Sequence, residues 1–188
     1  MKYVTNFFST LFVVSTGLYL LPHSVANAVT LSNGAIAFAQ PPRLVSASTP
    51  YTDTSFPNTT YYFTVEVPAT AGEPLQQVTF NQIQGTEDIE FNQKDTFAFE
   101  GTRNNQGSKL ALKAVKGDNK QQTITVTFDT PVQPGKTVTI GLQTYRNPFY
   151  DGVYLFGVKA FPSGEQTAGQ FLGIGRFQFY APTAATEN

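Results

Sequence analysis

The chain has 188 residues, a formal net charge of −1 and no cysteine. A near-neutral charge gives no electrostatic reason to expect nucleic acid or an anionic membrane as a partner. Without thiols no disulfide can form, so stability has to come from the core and from sheet hydrogen bonds, and the cysteine anchor of a bacterial lipoprotein is excluded.

Residues 1–28 have the three parts of an export signal. Lys2 gives a positive start, Phe7–Leu21 is an apolar-rich run, and Ala26–Ala28 has the small-x-small pattern that signal peptidases cleave. The run is too short to cross a bilayer core comfortably, which takes about twenty apolar residues. We therefore expect residues 1–28 to be a cleaved signal peptide. No second long apolar run follows, so we expect no membrane span after cleavage and a periplasmic or extracellular location.

Cleavage would also limit the chemistry of the chain, because it removes His23, the only histidine. Without histidine and cysteine, a Ser-His-Asp or Cys-His relay cannot form, and the usual zinc and copper ligands are missing. We expect no catalytic residue, no metal, no cofactor and no enzyme activity. The one catalytic route left open is chemistry carried by two carboxylates.

Residues 29–180 are predicted to form a single β-domain, because short runs of alternating apolar and polar residues are separated by Gly, Pro, Asn and Asp. In chain order the predicted strands are Leu44–Ala47, Tyr61–Val67, Gln77–Ile83, Asp88–Phe91, Thr123–Phe128, Thr137–Leu142, Gly152–Phe161 and Gln170–Tyr180. Strict alternation is typical of antiparallel sheets with one buried face. About eight strands favour an all-β, immunoglobulin-like antiparallel sandwich, with a partly open barrel as the alternative.

Composition also predicts details of this domain. The last two strands are dense in apolar residues, so we place them centrally, with both faces covered. Prolines such as Pro131 and Pro162 are expected between strands, where a missing amide donor does no harm. The glycines of residues 169–175 are expected to let an aromatic ring or another strand pack closely. Residues 102–108 are expected to be an exposed loop, and residues 181–188 a disordered tail.

An aromatic hairpin at residues 141–154 is the segment in which we most expect a function. One strand ends there, a turn runs from Asn147 to Gly152, and a second hydrophobic strand begins. Rings beside a guanidinium and a carboxylate can stack on and hydrogen-bond to sugar or peptide. The candidate ligand-binding residues are Tyr145, Arg146, Asn147, Tyr150, Asp151 and Tyr154. In the structural alternative, Arg146 and Asp151 pair with each other or with Glu100, while the rings cap the core.

Two further clusters are interpreted as architecture. Glu100 and Arg103 flank Gly101, which is expected to take a backbone conformation that would strain other residues. The acidic residues at 87, 88 and 90 are expected to lie on a solvated strand edge. A weak calcium site and carboxylate catalysis are the alternatives for this acidic run.

Several motifs of the chain resemble the DUF2808 family, which consists of exported proteins, mainly of cyanobacteria, with no established function. The motifs are Pro41-Pro42-Arg43-Leu44-Val45, Tyr61-Tyr62-Phe63-Thr64, Gly72-Glu73-Pro74-Leu75-Gln76, Phe99-Glu100-Gly101-Thr102-Arg103, Tyr145-Arg146-Asn147-Pro148 and Tyr150-Asp151-Gly152-Val153-Tyr154-Leu155-Phe156-Gly157-Val158. The resemblance extends roughly from Phe38 to Tyr180. It implies a cyanobacterial cell and its envelope or exterior, and it transfers no catalytic residue.

Three functions remain open at this point, and the oligomeric state is open with them. The first is a non-enzymatic envelope or secreted module that binds a protein or a glycan. The second is a hydrolase of envelope polysaccharide that uses two carboxylates about 5–9 Å apart. The third is an envelope assembly subunit joined by strand addition. In that case residues 29–40 would be a free donor segment and not the first strand of the domain itself.

Overall fold

The computed structural model describes residues 29–182, and the predicted signal peptide with His23 and residues 183–188 of the predicted tail lie outside them. In chain order the strands are β1 (Val29–Thr30), β2 (Ile36–Ala37), β3 (Arg43–Ser48), β4 (Thr60–Glu66), β5 (Leu75–Gln84), β6 (Phe97–Thr102), β7 (Asn105–Leu110), β8 (Leu112–Asp118), β9 (Thr123–Val132), β10 (Thr137–Gln143), β11 (Gly152–Pro162) and β12 (Gln170–Phe179). A single 3₁₀ turn, Gln93–Asp95, is the helical structure of this part of the chain. Within it, no helix has the length and apolar character needed to cross a membrane.

The strands form two antiparallel sheets of five strands each, together with a small β1–β2 hairpin. The first sheet has the order β3-β4-β10-β6-β7 and the second sheet the order β12-β11-β5-β9-β8. The sheets stay separate and do not close into a barrel. The all-β sandwich predicted from the alternating runs is therefore confirmed.

Alternation explains how the core between the sheets is filled. Val138, Ile140 and Leu142 of β10 point inward from the first sheet, and Ile124, Val126 and Phe128 of β9 point inward from the second; all six are at most 3% exposed. Burial of each such side chain contributes about 1.5–3 kcal/mol. Aromatic rings join the two layers, as in the Phe63–Phe80 pair, whose ring centroids are 4.5 Å apart.

A glycine makes one of these close contacts between the sheets. A Cβ placed on Gly175 of β12 would lie 2.7 Å from the ring of Phe63. The absence of a side chain therefore lets the ring lie against the strand, as the glycine run at residues 169–175 predicted.

Two predicted strands differ from those observed. Asp88–Phe91 does not form a ladder; Phe91 makes a single bridge, to Thr144. Ile89 and Phe91 nevertheless pack against the core, which explains the alternation that suggested a strand. The strand β12 is not central: it forms an edge of the second sheet and leaves Phe171 57% exposed.

Two other local predictions were also wrong. Residues 102–108 are not a loop, because β6 extends to Thr102 and β7 begins at Asn105. The strand β7 is an edge strand with exposed residues, so its sequence lacks the apolar alternation that marks buried strands. Pro131 lies within β9 and Pro162 ends β11, but both lie beside irregularities of the ladder. A proline is tolerated at such a position because no ladder hydrogen bond needs its amide.

Residues 29–40 belong to the domain itself. The backbone amide of Ile36 donates to the carbonyl of Gln166 at 2.8 Å, and the amide of Ala168 donates to the carbonyl of Ile36 at 2.9 Å. Phe38 is 2% exposed and lies in the core. This segment therefore packs and hydrogen-bonds within its own domain, and it is not the free donor strand of the assembly alternative.

Candidate functional site

Three loops and the residue after the last strand meet at one end of the sandwich, which we call the aromatic end. The loops are residues 49–59 between β3 and β4, residues 85–92 after β5, and residues 144–151 between β10 and β11; Tyr180 follows β12. Backbone hydrogen bonds join them. Ser55 donates to the carbonyl of Pro148 at 2.8 Å, and the amide of Tyr180 donates to the carbonyl of Thr52 at 2.9 Å.

Exposed aromatic rings are concentrated at this end. Six aromatic side chains within residues 29–182 are strongly exposed, and all but Phe171 lie at the aromatic end. The five rings are Tyr51, Tyr145, Phe149, Tyr150 and Tyr180, each 46–59% exposed. Tyr51 is further supported by Phe56, which stacks on it with ring centroids 3.9 Å apart. The sequence placed Tyr145, Phe149 and Tyr150 together in the hairpin and made Tyr145 and Tyr150 candidate ligand-binding residues. It missed Tyr51 and Tyr180, which come from separate segments.

Asn147, a predicted ligand-binding residue, is fully buried under this surface. Its side-chain oxygen accepts a hydrogen bond from the Tyr61 hydroxyl at 3.1 Å. Its side-chain nitrogen donates to the carbonyls of Tyr51 at 3.0 Å and Asp53 at 2.8 Å. The amide thus joins two loops to the core, and a surface ligand cannot reach it.

Tyr154, another predicted ligand-binding residue, is also fully buried. Its hydroxyl donates to the carbonyl of Tyr150 at 3.0 Å, and its ring meets the edge of Phe179. Burial raises the pKa of Tyr154 above its usual value, and the nearby Glu87 carboxylate adds to the rise. Burial raises the pKa of Tyr61 even more. Both tyrosines therefore act as neutral framework residues.

Arg146 is held at the surface by three contacts, one of which is a hydrogen bond from its Nη1 to the carbonyl of Asn147 at 3.1 Å. Its Nη1 lies 2.9 Å from Oε1 of Glu87, and its Cζ lies 3.4 Å from the ring centroid of Phe149. The same Glu87 oxygen accepts the backbone amide of Phe149 at 2.9 Å. Arg146 pairs with neither partner considered from the sequence: Asp151 is exposed, and Glu100 pairs with Lys136 at 2.6 Å. Sequence reasoning missed Glu87 as the partner, although it had placed this residue in an acidic run.

The second predicted cluster lies on the β6–β7 hairpin, far along the sheet from the aromatic end. Gly101 has a φ of +94°, and a Cβ there would collide with the carbonyl oxygen of Asn105. Its predicted special conformation is therefore present. The guanidinium of Arg103 lies 5.0 Å from the ring centroid of Tyr62. This contact joins the hairpin to β4, and the Glu100–Lys136 ion pair joins it to the residue before β10. We therefore interpret the cluster as structural.

The aromatic end is a surface with a shallow cleft and not a deep pocket. A cavity of about 150 Å³ lies between the acidic loop and the hairpin, and Glu87, Asp88, Tyr145 and Arg146 are among its lining residues. Small-molecule sites usually measure about 300–1,000 Å³. Across residues 29–182, no group of three or more His, Cys, Asp or Glu is arranged to hold a metal ion. The geometry therefore suits contact with the surface of a larger partner.

Comparison with known proteins gives a family and several distant structures. The model of the family DUF2808, described as a protein of unknown function, matches residues 35–179. No curated protein matches the chain. The chain is similar to BslA, a bacterial hydrophobin, at 12% identity over 77% of this chain and 98% of that chain, with a TM-score of 0.46. It is similar to the collagen-binding domain of a Staphylococcus aureus adhesin at 9% identity over 66% and 88% of the two chains, with a TM-score of 0.37. At such values the likenesses carry no functional conclusion.

Proposed function

The chain belongs to the DUF2808 family of proteins of unknown function, and we propose that it is an exported, non-enzymatic module that binds a protein or glycan through its aromatic end. The observation that carries the proposal is the cluster of five exposed rings at one end of the sandwich. Large exposed apolar patches of soluble proteins commonly mark interaction sites. Tyrosine and other aromatic residues are enriched in binding interfaces.

Hydrogen bonds beneath the rings hold their loops in place, which favours binding. Asn147 anchors the loop that carries Tyr51, and Glu87 anchors both Arg146 and the backbone of Phe149. Loops that are already ordered lose less conformational entropy when a partner binds. The backbone at Tyr51 and at Phe149 is therefore held in place before a partner binds.

Export is proposed from the pattern of residues 1–28, and the absence of enzyme activity from the residues left after cleavage. The chain would then act in the periplasm or outside the cell. Within the acidic run, Glu87 is engaged by Arg146 and by the backbone of Phe149, which argues against its use as a free catalytic carboxylate.

The test compares the purified chain with two surface variants. Immobilised protein is exposed separately to the protein and polysaccharide fractions of the envelope of its own cells. We expect one fraction to be retained and recovered with unchanged mass. A Tyr145→Ser/Tyr150→Ser variant should lose this retention. Phe171→Ser is the matched control, because Phe171 is 57% exposed but lies on the edge strand β12. Equal retention by both variants, no retention by the unmodified chain, or a partner recovered cleaved would each show the proposal to be wrong.

A further inference from the structure

We propose that the partner of the aromatic end is a protein, and that it presents a cationic segment carrying arginine or lysine side chains. The inference rests on the proposed function and adds the chemistry of the occupant. It is carried by the charges among the exposed rings and by the manner in which the chain binds its own Arg146.

The aromatic end is strongly acidic compared with the rest of the chain. Its loops carry five carboxylates and one guanidinium, a formal charge of −4, whereas the whole chain carries −1. The carboxylates belong to Asp53, Glu87, Asp88, Glu90 and Asp151, and the guanidinium to Arg146. The remainder of the chain is therefore net positive. An acidic polysaccharide, an anionic lipid surface or an acidic peptide would be repelled at this end.

Four of these five carboxylates are free to meet a cation. In the described part of the chain, the ion pairs of the aromatic end involve Glu87 alone. Asp53, Asp88, Glu90 and Asp151 are all exposed. Asp88 accepts a hydrogen bond from the side chain of Gln122, which is uncharged and leaves the negative charge in place. A neutral glycan would also leave this charge uncompensated, whereas a basic segment would neutralise it.

Arg146 is an example, within the chain, of the contact that a partner would make. Its guanidinium lies against the face of Phe149, with Cζ 3.4 Å from the ring centroid, while Nη1 pairs with Glu87 at 2.9 Å. A ring and a carboxylate together attract a guanidinium by cation–π and charge-assisted contacts. The exposed ring of Tyr150 is followed directly by the exposed carboxylate of Asp151, and within residues 29–182 neither has a cationic side chain as a partner. A guanidinium or ammonium from a partner would supply the positive charge that this ring and this carboxylate each attract.

The test uses defined peptides as probes of the purified chain. Fluorescent Gly/Ser peptides of equal length carry several arginines, several glutamines or several glutamates at the same positions. We expect the arginine peptide to bind, and the other two not to bind. Binding should weaken steeply as salt rises from about 0.05 M to 0.5 M, because screening then acts within roughly 4 Å instead of 14 Å. Peptide-induced NMR shifts should map to Tyr145, Phe149 and Tyr150.

Charge variants then separate this inference from the proposed function. Asp88→Asn/Asp151→Asn should weaken arginine-peptide binding about three- to tenfold. Asp129→Asn, an exposed carboxylate of β9, should leave it unchanged. Equal effects of the two changes, or equal binding of the glutamine peptide, would overturn the inference.

The last part of the experiment tests whether a neutral oligosaccharide binds to the chain and to the same variants. If it binds and the arginine peptide does not, and if Tyr145→Ser/Tyr150→Ser abolishes its binding while Asp88→Asn/Asp151→Asn does not, the cationic occupant is wrong and the proposed function stands. If peptide and oligosaccharide both fail to shift residues of the aromatic end, and envelope fractions are not retained there, both proposals fail.

Discussion

A single buried amide organises the loops of the aromatic end. Asn147 is fully buried and makes three side-chain hydrogen bonds, to the Tyr61 hydroxyl and to two carbonyls of the loop at residues 49–59. Buried polar groups that lose their partners cost more free energy than the bonds themselves contribute. Asn147 is therefore expected to contribute more to the stability of the fold than an asparagine in an exposed loop does.

We expect Asn147→Ala to lower the free energy of unfolding by about 2–3 kcal/mol, because one hydroxyl and two carbonyls lose a partner. Urea unfolding followed by circular dichroism measures the change. Asn119→Ala, an exposed residue in the turn between β8 and β9, should change it by less than about 0.5 kcal/mol. A loss of the same small size for Asn147→Ala would show that these hydrogen bonds do not secure the loops.

Stability should also fall in alkaline solution because of Tyr61. The usual pKa of a tyrosine is 10.0, and burial raises the pKa of Tyr61 in the folded chain far above it. The contribution of Tyr61 to the free energy of unfolding is therefore fully present below about pH 10. It is lost as the pH rises further, because the Tyr61 hydroxyl then ionises in the unfolded chain but not in the folded chain. The slope is about 1.4 kcal/mol per pH unit for each such tyrosine. Urea unfolding between about pH 8 and pH 12 should show this decline, with a shallower slope in Tyr61→Phe; equal slopes would contradict it.

The candidate residues also show where sequence reasoning stops at this scale. The connection that contains Asn147 was correctly predicted between two strands, because β10 ends at Gln143 and β11 begins at Gly152. The sequence could not reveal which of its side chains point inward. The partners of Asn147 lie 86–96 residues away along the chain, so its burial depends on tertiary contacts that spacing alone does not encode.

Among the elements, alternation predicted several strands with one buried face but missed β6, an interior strand in which Ala98 and Phe99 are buried. The strands β4, β9 and β10 were found because inward apolar residues alternate with outward threonines and other polar residues. The same signal was misleading at residues 88–91, where alternate side chains reach the core without a ladder. Alternation reports burial, and hydrogen-bonded pairing is a separate property. Edge strands such as β7 lack a strong burial pattern and were missed for that reason.

The first hairpin gives a test at the level of elements. Phe38 follows β2 and lies in the core, so Phe38→Ala should destabilise the domain by about 3–5 kcal/mol through lost burial and a cavity. Val29→Ala in the same hairpin should have little effect, because Val29 is 42% exposed. Thermal or urea unfolding distinguishes the two. Equal stability of the Phe38 variant and the unmodified chain would restore residues 29–40 as a segment free to leave the domain.

At the scale of the whole molecule, the sandwich brings together segments that are far apart in sequence. The rings of the aromatic end come from three loops and from Tyr180 after the last strand. Only the hairpin at residues 141–154 was recognised beforehand, because its rings are adjacent in the chain. Tyr51 and Tyr180 join it only after the two sheets have formed. Sequence reasoning could therefore identify one component of this surface but not its extent.

The same distant pairing should make folding slow. The first sheet pairs β4 with β10, and the second sheet pairs β5 with both β9 and β11. Domains dominated by such non-local pairing fold in roughly milliseconds to seconds. Stopped-flow refolding from urea, followed by tyrosine fluorescence because the chain has no tryptophan, should show this rate. Complete refolding within microseconds would contradict the expected influence of topology.

The position of Tyr180 has a practical consequence for handling the protein. The parallel bridge between Asp53 and Tyr180 brings the last described residues beside the exposed rings, whereas the first hairpin is bonded to residues 166–168 at the opposite pole. An affinity tag or dye attached directly after Pro182 would crowd the surface that we propose for binding. A tether joined ahead of Val29 would instead hold the molecule by its far pole and leave the rings facing outward.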